Sequence, residues 1–176
     1  MTGALDVAKT ALLVFFVAIL QVTILGSIDV AGGAPDLVLV TLVAVALLRG
    51  PIFGAVAGFY AGLLVDTATL ETLGLTSLVL TLAGYWIGRY GETTGRDRIQ
   101  APVLSVLVIT VLYAVGGYVL RFVLGDAVSA RLVLVESLLP GIIFNCLLAV
   151  PVYALCRRLL HPVEAFDRSR EVRLLG

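Results

Sequence analysis

Six apolar segments, residues 7–25, 37–48, 52–65, 73–90, 102–124 and 132–160, follow one another with only short polar connections between them. A water-soluble domain must clothe its outside in polar side chains. This chain of 176 residues, 60% hydrophobic and 14% charged, has too few of them. A bilayer is the solvent that fits, and within it each segment must be helical, because no water is present to satisfy the backbone. The expectation is an all-α integral membrane protein: a six-helix transmembrane bundle over residues 1–162, followed by a short cytoplasmic tail over 163–176.

The first apolar run exceeds a usual signal-peptide core and has no small-x-small cleavage site, so it reads as an uncleaved span. Basic residues orient the bundle. Lys9, Arg49, Arg89, Arg96, Arg98, Arg157, Arg158, Arg168, Arg170 and Arg173 fall on one side, leaving Arg121 and Arg131 on the other. Both termini are therefore expected in the cytoplasm. The first and third connections, GSIDVAGGAPD and DTATLE, carry acids and no base, in agreement. Twelve Lys/Arg balance twelve Asp/Glu, and no basic run is interleaved with aromatics, so nucleic acid is not an expected partner.

Two segments are short. From Asp36 to Arg49 a helix covers about 20 Å, and from Pro51 to Asp66 about 23 Å, against a hydrocarbon core of about 30 Å. Three readings accommodate this: local thinning of the bilayer, Asp36 and Asp66 lying below the outer headgroups, or a re-entrant hairpin buried among other helices. The last segment is long, about 43 Å if wholly helical, and its Pro140 and Pro151 predict kinks. Its two cysteines, Cys146 and Cys156, are too far apart on one helix to bridge each other.

Within the second hairpin, GAVAGFYAGLLVD places Gly54, Gly58 and Gly62 four residues apart and Asp66 one turn further. Between helices in lipid, association depends on close packing, which small residues at this spacing permit. Gly84 and Gly88 offer a matching pair on the next segment, and an antiparallel arrangement predicts Gly54 and Gly88 at the same depth. The five glycines are candidates for helix packing or for binding a partner helix. Asp66 reads either as an interfacial residue that caps or ends its helix, or as part of an ion path. Glu136, one turn into the last span and near Arg131, is the other candidate for such a path, and reads alternatively as an interfacial ion pair. Asp36 and Asn145 complete the candidate polar residues; Gln21, Thr41, Thr76, Ser77, Thr81, Ser105 and Thr110 look scattered over different helices. With His161 the single histidine, no metal site, no nucleophile–base set and no phosphate-binding loop can be assembled. The expected protein is not an enzyme and needs no cofactor.

The order PDLVLV (35–40), GAVAGFYAGLLVD (54–66), LGLTSLVLTLAGYWIG (73–88) and a last span with Asn145, Pro151 and a terminal CRRLL resembles the MreD family of rod shape-determining membrane proteins. The resemblance covers nearly the whole chain. It implies a fold like that of the substrate-binding subunits of energy-coupling-factor transporters. It also implies a bacterial inner-membrane scaffold of the elongation machinery, binding an MreC-like single-span protein beside a glycosyltransferase and a transpeptidase of peptidoglycan synthesis. The alternative is a binding subunit of a vitamin-type transporter, which would need convergent polar groups facing an outward cavity. Membrane lipid is a partner in either case, and the sequence leaves the oligomeric state, a homo-oligomer included, open.

Overall fold

A computed structural model describes residues 2–23, 35–70, 72–94, 100–125 and 138–160. They form six helices: α1 (Thr2–Thr23), α2 (Leu37–Arg49), α3 (Pro51–Thr69), α4 (Leu75–Thr94), α5 (Gln100–Val123) and α6 (Leu138–Leu159), with no strand among the described residues. Four of them, α1, α3, α5 and α6, are long and apolar enough to cross a membrane. α4 is long enough but carries Thr76, Ser77, Thr81, Arg89 and Glu92, and α2 is short. The molecule is a helical membrane bundle. Glu136 and Arg131, the first connection up to residue 34 and the tail from residue 161 lie outside the described residues.

α2 is the axis of the bundle and packs against all five other helices. Its sequence, LVLVTLVAVALLR, is apolar all the way round, and a helix of that kind belongs in an interior. Every residue from Val38 to Leu48 is buried. On one side Leu39, Val40, Val43, Ala46 and Leu47 meet Ala83, Ile87, Val106, Ile109 and Ala149 of α4, α5 and α6. On another, Val38, Leu42 and Val45 meet Val14 and Ala18 of α1, Ala57 and Ala61 of α3 and Leu80 of α4. The outer surface is apolar too: Phe16, Val56, Trp86, Leu112 and Leu147 are each more than half exposed, as lipid-facing residues are.

One residue joins α2 to α3. Gly50 has φ +94°, in the left-handed region that a side chain disfavours, and its N–H still donates to the Ala46 carbonyl at 2.8 Å. Pro51 then opens α3, where its missing N–H costs nothing.

α3 and α4 make the most extensive contact in the fold. A Cβ on Gly54 would strike the Gly84 carbonyl oxygen and lie 2.7 Å from the Ala46 Cβ; one on Gly58 would strike the Leu80 carbonyl; one on Gly62 would strike the Ser77 backbone. The reciprocal is true of Gly84 against Gly54 and of Gly88 against Gly50 and Pro51. The depth match expected from the sequence, Gly54 with Gly88, is therefore wrong by one turn: Gly54 faces Gly84, and Gly88 faces the α2–α3 junction. The connection between the helices sets this register, because Asp66 binds the start of α4 directly. α3 also continues to Thr69, about 28 Å, rather than ending near Asp66.

The contact is backbone against backbone, so no rotamer can relieve an added methyl. Gly58→Ala should lower stability by about 1–3 kcal/mol, the usual cost of overpacking, seen as a lower melting temperature in detergent. Gly117→Ala, where nothing lies within 4 Å of the added Cβ, should leave it unchanged. Equal behaviour of the two variants would contradict the α3–α4 contact.

Candidate functional site

Several of the polar residues inside this bundle are spent on helix ends. A helix begins with N–H groups that have no intrahelical partner, and each one left unsatisfied away from water costs about 1–3 kcal/mol. At the start of α2, three helices supply the acceptors. Asp36 caps its own helix, its Oδ1 accepting from the Leu39 N–H at 2.8 Å. Gln21 of α1 accepts from the Val38 N–H through Oε1 at 2.7 Å. Asn145 of α6 accepts from the Asp36 N–H through Oδ1 at 2.8 Å, and its Nδ2 donates to the Thr110 hydroxyl of α5 at 3.2 Å. Gln21, Thr110 and Asn145, which look scattered in the sequence, converge on one helix terminus. Asn145 is 2% exposed, so both of its bonds are made without water.

Asp66 does the same for α4. It is 1% exposed, and it caps the helix after its own rather than ending α3. Gly74, just before α4, has φ +93° and no side chain to offer. Asp66 takes that place from α3: Oδ2 accepts from the Gly74 N–H at 2.8 Å and the Ser77 N–H at 3.4 Å, and Oδ1 from the Thr76 N–H at 3.3 Å. A carboxylate is suited to the site, because it only accepts and sits at the positive end of the helix dipole. The Ser77 hydroxyl returns a bond to the Phe59 carbonyl at 3.1 Å, tying the hairpin a second time.

At the opposite end of α2, Arg49 lies against the helix's negative pole. Its guanidinium is 2.8 Å from Asp6 of α1 and 5.5 Å from the Phe53 ring of α3, with the Arg49 side chain 8% exposed. In the sequence Arg49 reads only as a topological marker, with Asp6 unconnected to it. A signal is present: if α1 and α2 are antiparallel, the start of α1, with Asp6 and Lys9, lies beside the end of α2, with Arg49.

Clefts open on the outside among the described residues. One, of about 230 Å³ between α4 and α5, is lined by Trp86, Ile87, Tyr90, Leu104, Ser105, Val108, Ile109 and Leu112. A second, of about 460 Å³, lies between α1 and α6 and is lined by Lys9, Leu12, Leu13, Phe16, Arg158, Leu159 and Leu160. Among the described residues no group of three His, Cys, Asp or Glu side chains is arranged to hold a metal ion.

If the buried acceptors hold the fold, removing them should unfold it. Asp66→Ala and Asn145→Ala should each cost about 1–3 kcal/mol by stranding buried partners. Asp66→Asn, which keeps one acceptor oxygen, should lose less than Asp66→Ala. Thermal melts of the purified variants measure this; full stability of Asp66→Ala would remove Asp66 from the α4 terminus.

The family model described as rod shape-determining protein MreD matches residues 6–159 of this chain. The cell shape-determining protein MreD of Streptococcus pneumoniae is 31% identical over 90 residues, an alignment covering 51% of this chain and 54% of that one. The match thus spans about half the length of that relative. No solved structure matches the chain, and the likeness to transporter binding subunits rests on the sequence resemblance alone. With nearly all of its helical bundle inside the family match, the chain belongs to the MreD family of cell shape-determining membrane proteins.

Proposed function

We propose that this protein is a non-enzymatic scaffold of the cell-elongation machinery in the bacterial inner membrane. In this reading it binds an MreC-like single-span protein and supports lateral peptidoglycan synthesis beside a glycosyltransferase and a transpeptidase. The family match over residues 6–159 carries the reading. The chemistry of the interior supports it. A binding subunit for a soluble vitamin needs polar groups turned toward a cavity, whereas Gln21, Asp36, Asp66 and Asn145 are turned toward backbone N–H groups of this chain.

The glycines bear on where a partner docks. Gly54, Gly58, Gly62, Gly84 and Gly88 are occupied by each other and by neighbouring backbone within the chain. We assign them to internal packing, so the partner helix sits on an outer face of exposed apolar side chains.

Purified from its native membrane, the protein should retain a single-span protein with a large extracytoplasmic domain, and its depletion should round rod-shaped cells. Tight binding of a soluble vitamin together with copurification of an ATPase module would identify a transporter subunit instead.

The proposed topology has its own test. With the native Cys146 and Cys156 replaced, a cysteine at Gly32 should react with a membrane-impermeant reagent in intact cells, and one at Ser169 only after lysis. Labelling of Ser169→Cys from outside would invert the orientation.

A further inference from the structure

We propose that the cleft between α1 and α6 is a binding site for one anionic phospholipid, its headgroup phosphate held by Lys9 and Arg158 and an acyl chain lying along α1. α1 leans on α2 and α3, and α6 on α2 and α5. Between them is a lateral opening of about 460 Å³, at the end of the bundle where α1 begins and α6 finishes. Its inner side is packed: Leu13, Val152 and Tyr153 close over Ala44, Leu48 and Cys156.

The arrangement of charge and apolar surface identifies the occupant. Lys9, Leu12, Leu13 and Phe16 follow the i, i+3, i+4, i+7 spacing of one helix face. From Lys9 to Phe16 is about 10 Å along the axis, a path from headgroup level into hydrocarbon. Leu12 is 58% exposed and Phe16 61%, surfaces that only an apolar chain covers well. Across the cleft Arg158 supplies a second cation beside Leu159. Arg49 and Arg89 are spoken for, by Asp6 and by Glu92. Lys9 and Arg158 have no ion-pair partner among the described residues, and they line the same cleft. Two unpaired cations above an apolar slot between membrane helices complement a phosphodiester with an acyl chain beneath it. A zwitterionic lipid brings its own cation to the same place and gains less. A lipid seated there bridges α1 to α6 on the outer side of that packing.

The test uses the full-length protein in neutral detergent, with phosphatidylglycerol or phosphatidylcholine of matched acyl chains added and bound lipid counted by native mass spectrometry. Phosphatidylglycerol should bind at least about tenfold more tightly than phosphatidylcholine, from the attraction of two basic residues for a headgroup, and should raise the melting temperature more. Lys9→Gln combined with Arg158→Gln should abolish that preference, whereas Lys9→Arg with Arg158→Lys should keep it. Arg89→Gln, which removes a charge elsewhere on the surface, should leave it intact. An equal preference in the double Gln variant, or an equal loss in Arg89→Gln, would reduce the effect to general surface charge and overturn the site. A preference absent from the wild type and appearing only when Glu164, Asp167 and Glu171 are neutralised would assign the cleft to the chain's own tail, overturning it too. Displacement of the lipid by a copurified single-span protein would give the cleft to a partner helix and refute the proposal.

Discussion

A short helix in the middle of a membrane protein must have its ends satisfied by protein, and the rest of this structure is arranged around that requirement. α2 has thirteen residues and covers about 20 Å, too little to bring both termini to water across a core of about 30 Å. Its first N–H groups would be stranded in apolar surroundings. Gln21, Asp36 and Asn145 prevent this, and in doing so they fix the heights of α1 and α6 relative to α2. The other terminus ends in Arg49, whose charge is answered by Asp6 and by the Phe53 ring. A buried ion pair of this kind adds little net stability over apolar residues, but losing one partner is costly. Its effect is to specify one arrangement of α1, α2 and α3.

Bilayer thinning is therefore not needed to explain the short segments. α2 is short because it is the interior of the bundle, surrounded by helices that meet the lipid in its place. α3 is not short once its last turn, beyond Asp66, is included. Asp66 keeps its carboxylate away from water because the α4 terminus supplies three donors, which makes it a structural anchor of the α3–α4 hairpin. The glycines and the aspartate in GAVAGFYAGLLVD thus belong to one device: the glycines bring two backbones into contact, and the aspartate sets where along their length they meet.

Composition and periodicity made much of this legible. The number and order of helices follow from apolar segments separated by polar connections, and the small face of α3 follows from glycine at every fourth position. What was not legible were distances between residues remote in sequence. Asn145 is 109 residues from the N–H it caps, and Thr110 is 35 from Asn145; a list of polar residues on separate helices carries no sign of convergence. Glycine spacing alone does not set the register of α3 on α4, because several alignments a turn apart satisfy it. The choice among them lies in Asp66 and Gly74, a cap shared between two helices that one-helix rules do not anticipate.

The same geometry bears on what a member of this family with so little exposed chemistry offers to other molecules. Gln21, Asp36, Asp66 and Asn145 are committed to the chain's own backbone, and its closest-packing face is closed by α4. Among the described residues the outer surface is what remains available to other molecules, and there apolar side chains are interrupted by clefts of different character. The α4–α5 cleft is almost entirely apolar, with Ser105 buried among aromatic and branched residues, whereas the α1–α6 cleft carries two cations at one end. A membrane helix and a lipid make opposite demands on such surfaces. A helix gains from continuous shape complementarity and hydrogen bonds to its side chains. A phospholipid gains from charge at headgroup depth with hydrocarbon below. The α1–α6 cleft has the character a phospholipid asks for, and the outer face of α4 and α5 lies apart from it, so the lipid proposed above would leave that face open.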